Sequence, residues 1–172
     1  MKTARAFTIV ELLIVIVVIA ILATLTIVAY NGIQDRANMT KIQQDLRNLE
    51  RAIMAARVAE NKTFFAISGS GYTASSCVSL PAGTDAALSQ THSCWVAYNN
   101  VLNDIATASG ANVRGLVDPW GRPYFIDENE GENGTNCNSD LIAAYAKPYN
   151  GNARYPNTSV NVPKTGLTGC AI

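Results

Sequence analysis

From Phe7 to Tyr30 the chain runs for 24 residues with one side chain charged at neutral pH, Glu11. The stretch reads FTIVELLIVIVVIAILATLTIVAY and follows a short basic leader, MKTARA. As a helix it covers roughly 36 Å, enough to cross a bilayer. A secretory signal has a shorter apolar core, about 7–15 residues, followed by small residues at a cut site. Here the run is longer, and no Ala-x-Ala closes it before Asn31-Gly32. The plain reading is a single-pass anchor. Lys2 and Arg5 precede the span and place its N-terminus in the cytoplasm by the positive-inside rule, with the remainder outside. A carboxylate within such a segment is costly in lipid and calls for a partner. The nearest candidate is a free amine.

The stretch RAFTIVELLIVIVVIAILA, Arg5 to Ala23, resembles the start of type IV prepilins, precursors of the pilins and pseudopilins of bacterial and archaeal filaments. The resemblance implies that a membrane aspartic peptidase cuts between Ala6 and Phe7 and methylates the new Phe7 amine. It makes Glu11 the fifth mature residue, which docks on a neighbour's N-terminus, and gives Thr8 a hydroxyl contact nearby. Ala6 stands where the family has glycine, and Val28 where it has a helix proline. Losing Lys2 and Arg5 from the 13 basic residues leaves 11 against 13 acidic ones, a formal charge of about −2. The fold implied is α+β: a long N-terminal helix packed against a small antiparallel β-sheet head with disulfides. The expected divisions are a leader over 1–6, a membrane and filament-core helix over 7–30, its amphipathic continuation over 31–61, and a head over 62–172 ending in a loop region.

The residues after the span support this. Met39, Ile42, Leu46, Leu49, Ile53 and Ala56 recur at gaps of three and four, one helical face, while Lys41, Gln44, Asp45, Asn48 and Arg51 fall mainly on the solvated side. No proline occurs before Pro81, so the helix can run from about Phe7 to about Glu60, with Gly32 its weak point. A coiled-coil seam is the competing account of the stripe. Thr63 to Pro81 reads as a connecting loop with a turn at Gly69–Tyr72, and Trp95 to Ala108 as a second helix. Strands are expected from Pro123, over Asp140–Ala146 and over Thr158–Val162. Four cysteines, Cys77, Cys94, Cys137 and Cys170, follow the span into an oxidising space and permit three connectivities. Joining neighbours along the chain gives Cys77–Cys94 and Cys137–Cys170, and the resemblance implies a stapled C-terminal region. Free buried thiols are the alternative. Zinc has less support, with no Cys-x-x-Cys and one histidine.

The run Asp118-Pro119-Trp120-Gly121 resembles the turn before the sheet in major pseudopilins of type II secretion systems, where the loop after the first strand often binds calcium. Asp127, Glu128, Glu130, Glu132, Asn136, Asn138 and Asp140 supply oxygens in that region, with Asp127 and Asp140 as candidate ligands. The spacing is not that of an EF-hand, and a solvated acidic hairpin explains it equally. Trp120 reads as an aromatic that seals the turn. Catalysis has little support. His92, the sole histidine, reads as a solvated loop residue, and no phosphate loop or fixed carboxylate pair occurs. No basic stripe favours nucleic acid. The expected function is a homo-oligomeric filament subunit, held in the membrane with its head outside before assembly. Its expected partners are a prepilin peptidase and an assembly platform with its ATPase. The alternatives are a pseudopilin of a secretion or competence system, or a minor or adhesive pilin. No cofactor is expected apart from a candidate calcium.

Overall fold

The computed structural model describes residues 8–69, 77–78, 91–131, 138–151 and 153–166. Its elements are α1 (Ile9–Glu60), α2 (Phe64–Ser68), α3 (Ser93–Ser109), β1 (Phe125–Asp127), β2 (Asp140–Ala143) and β3 (Val160–Val162). The chain forms two compact units divided at Thr40/Lys41, inside α1. The expected α+β combination is present: a long apolar N-terminal helix, a three-stranded antiparallel sheet and a disulfide.

No proline interrupts the hydrogen-bond ladder of α1, which passes through Asn31-Gly32 as helix. It ends where Asn61 turns left-handed at φ 50°, a conformation asparagine tolerates, and the Lys62 N–H bonds back to the Arg57 carbonyl at 3.4 Å. In the second unit Ile42, Leu46, Leu49, Ile53 and Ala56 are buried, as their spacing predicts. Each of these leucines and isoleucines contributes roughly 1.5–3 kcal/mol when fully buried. They pack with Trp95, Tyr98, Val101, Leu102 and Ile105 of α3 and with one face of the sheet, so the stripe serves the head's own core. Asp45 departs from the solvated side expected for it. It is half-buried, accepts a hydrogen bond from the Tyr124 hydroxyl at 2.7 Å and pairs with Lys41 at 2.5 Å.

The loop expected over Thr63 to Pro81 begins instead with α2. Thr63 caps it, accepting from the Ala66 N–H at 3.3 Å, and Gly69 closes it at φ 64°. Five residues are too few to show a helical period, which is why the sequence reads as loop. Beyond Gly69 the expected turn lies outside the described residues. α3 confirms the second helix, and His92 is its N-cap: Nδ1 accepts from the Cys94 N–H at 3.1 Å. The histidine is thus half-buried structure rather than solvated loop.

The sheet order is β1-β2-β3, with Ile126 opposite Ile142 and Ile142 opposite Val160. Strand alternation sends Tyr124, Ile126, Ile142, Ala144 and Val162 to the core shared with α1. Phe125, Ala143 and Tyr145 go to the other face, where Cys77, Cys94 and Tyr149 cover them. β2 stops at Ala143, three residues short of the expected strand. Its continuation pairs more loosely, with Tyr145 bridged to Arg154 and the Ala146 N–H on the Ala153 carbonyl at 3.0 Å.

Candidate functional site

The helix start is built by Thr8 and Glu11. The Thr8 hydroxyl accepts from the Glu11 N–H at 3.3 Å, and Glu11 Oε2 accepts from the Thr8 N–H and hydroxyl, both at 2.8 Å. This is a reciprocal capping box, which satisfies backbone donors that a helix start leaves open and sets a negative charge at the positive end of the dipole. Thr8-x-x-Glu11 carries that signature in the sequence, but reading Glu11 only as a membrane carboxylate passes over it. Every side chain from Ile9 to Thr26 is exposed. The two threonines of this stretch bond back to their own helix: Thr24 Oγ1 to the Ile21 carbonyl at 2.8 Å, Thr26 Oγ1 to those of Leu22 and Ala23 at 3.0 and 2.9 Å. α1 is long and apolar enough to cross a membrane.

In the head, Asp118 organises the turn before β1. Its Oδ1 accepts from the N–H groups of Trp120 and Arg122 at 2.9 Å, and its Oδ2 from Arg122 Nε at 2.7 Å. The Arg122 guanidinium also donates to the carbonyls of Ala146 and Tyr145 at 2.8 and 2.9 Å, tying the turn to the end of β2. Trp120 lies half-buried against Tyr155, with Arg122 and Lys147 over its ring.

Three carboxylates flanking the acidic loop are not solvated. Glu128, Glu130 and Asp140 are buried, and Arg57 from α1 is buried too, paired with Asp140 and 3.9 Å from Glu130. Arg57 also donates to the Pro163 carbonyl at 2.5 Å. Burial pulls the pKa of its guanidinium down, and the Glu130 charge opposes that. Sequence reasoning missed Arg57, yet a signal existed: position 57 continues the apolar stripe one turn past Ile53. Asp140 shares strand parity with Ile142 and Ala144, which sends it toward α1. A charge on each apolar face requires a partner, and each is the other's.

Residues 1–27 match the family model for the prokaryotic N-terminal methylation motif. This is the signature of type IV pilins and pseudopilins. Neither a curated protein nor a solved structure matches the chain. The pilin signature supports a pilin-like or pseudopilin precursor, directed in general to prepilin peptidase processing and filament assembly. It points to a structural subunit rather than an enzyme, and the apolar helix fits membrane anchoring and pilin sorting. Within the signature, Ala6 and Phe7 lie outside the described residues, while Thr8 and Glu11 are brought together. Cys77 and Cys94 are bonded, with the Tyr149 hydroxyl donating to the Cys77 carbonyl. Cys137 and Cys170 lie outside the described residues. Asp127 sits at the end of β1 and Asp140 at the start of β2, opposite Leu141 and Val162. Among the described residues no three acidic, histidine or cysteine side chains form a metal-holding group.

Proposed function

We propose that the chain is the structural subunit of a type IV pilus-like filament, assembled through α1 after peptidase removal of residues 1–6. Residues 7–30 anchor the precursor in the membrane and then enter the filament core; 31–61 continue the helix into the head of 62–172, which stays outside the cytoplasm. The assembly platform and its ATPase lift the subunit from lipid into the filament. One observation carries this reading: an exposed apolar helical stretch, Ile9 to Thr26, whose sole charged group, Glu11, is fixed at its very start. In the filament the Glu11 carboxylate pairs with the Phe7 amine of a neighbour, and Thr8 holds it in place. Buried from water, neither charge is stable without the other.

The test is Glu11→Ala. The variant is synthesised and inserted normally but yields few filaments, scored by shearing and immunoblotting, and mass spectrometry of sheared wild-type filaments finds N-methylated Phe7. Wild-type filament yield from the variant defeats the reading. The Asp118–Gly121 turn favours a second reading, a pseudopilin serving secretion; it predicts short periplasmic filaments in place of surface pili.

A further inference from the structure

We propose that Arg57 serves as the built-in cation of the acidic loop, filling the role a divalent metal plays in an oxygen-rich loop, so that the head folds independently of calcium. The likeness of Asp118–Gly121 to pseudopilins implies calcium in this loop, and the described residues do not fit it. Calcium takes six to eight oxygen ligands drawn in to about 2.3–2.6 Å. The carboxylates of Glu130 and Asp140, at the two ends of the loop, are otherwise engaged. Glu130 Oε1 accepts from the Thr165 N–H at 2.8 Å, the Thr165 hydroxyl at 2.9 Å and the Gly166 N–H at 3.2 Å, and its Oε2 accepts from the Thr165 N–H at 2.9 Å. Asp140 Oδ1 accepts from the Glu130 N–H at 2.8 Å, and its Oδ2 faces the Arg57 guanidinium. The Pro163 carbonyl is taken by Arg57 as well.

The guanidinium thus joins four segments, α1, the loop after β1, the start of β2 and the chain after β3. That is the cross-linking a loop metal provides. A planar fork of donors suits this task because it satisfies a carboxylate and a carbonyl in separate directions at once. A second cation entering the cluster would meet a fixed positive charge at short range in a medium of low dielectric. With Arg57 removed, the same cluster becomes a buried set of carboxylates lacking its counter-charge, and a divalent ion becomes the natural replacement.

The experiment is thermal unfolding of the full chain in detergent, in EGTA and in millimolar calcium. Wild type melts at the same temperature in both. Arg57→Gln melts lower in EGTA by on the order of 10 °C and regains part of the loss in calcium. Arg57→Lys, which keeps the charge, does not respond to calcium. A wild-type chain destabilised by EGTA, or an Arg57→Gln chain indifferent to calcium, overturns the assignment. If Arg57→Gln folds in neither condition, wild type and Arg57→Lys decide, and a gain from calcium in either one overturns it. None of these outcomes bears on filament assembly.

Discussion

Arg122→Met isolates the lock that holds the pre-strand turn. Arg122 and Asp118 are 3% and 2% exposed, so water stabilises neither charge. Methionine fills most of the space, which keeps the cavity contribution small. The Asp118 carboxylate keeps the N–H groups of Trp120 and Arg122 but loses its counter-charge, and the carbonyls of Tyr145 and Ala146 lose their donors. Breaking one partner of a buried pair costs about 3–5 kcal/mol. The carbonyl losses do not add in full, because they belong to one network and Ala146 is half-exposed to water. A central value is about 4 kcal/mol. The unit Lys41–Ile172 has about 130 residues. At about 2.1 cal/mol/K per residue its unfolding entropy is about 0.27 kcal/mol/K, and the expected fall in Tm is about 15 °C. Near-ultraviolet circular dichroism of the detergent-solubilised chain reads this directly, since Trp120 lies 4.8 Å from the guanidinium. Adding Asp118→Asn removes the stranded charge and recovers a large part of the loss. A single variant melting within about 3 °C of wild type, or a double variant no better than the single, refutes the reasoning.

Burial pushes the phenols of Tyr98 and Tyr124 far above their ordinary value, and for Tyr124 the Asp45 carboxylate adds to this. A raised folded pKa gives stability that is complete below the unfolded value of 10.0 and is lost as pH rises through and beyond it. The loss is about 1.4 kcal/mol per pH unit for each tyrosine. Melting curves therefore fall steeply above pH 10, and Tyr98→Phe and Tyr124→Phe each flatten the slope by one tyrosine's share; parallel slopes in all three proteins would argue against it. At the start of α3, His92→Ala removes the cap and costs about 1 kcal/mol, about 4 °C, whereas His92→Asn retains most of it. Equal melting of the two variants tells against the capping role.

The long elements were legible because their periods are long. A 24-residue run with one charged side chain and a five-gap stripe leave few options, and α1 and its buried face follow from them. The three short strands fall where turn residues and β-favouring runs placed them, from Pro123, over Asp140–Ala146 and over Thr158–Val162. What escaped was polar and non-local. Arg57 meets Asp140 and Pro163 across 83 and 106 positions of chain, a distance no spacing rule spans. Arg122 finds the carbonyls of Tyr145 and Ala146 only once the sheet has formed. Within the candidate site, Glu11 stood out by its oddity. Its pairing with Thr8 is local, and it was written in the sequence as a helix start.

The hydroxyls of Thr24 and Thr26 are folded back onto the helix backbone, so they offer nothing outward. From Ile9 to Thr26 the helix shows its surroundings only hydrocarbon, apart from Glu11 near its start. In the proposed filament, lipid tails and sister helices are nearly the same solvent to this stretch, and leaving one for the other breaks no directional bond along its flank. Under that proposal a single polar handle decides the traffic between the two.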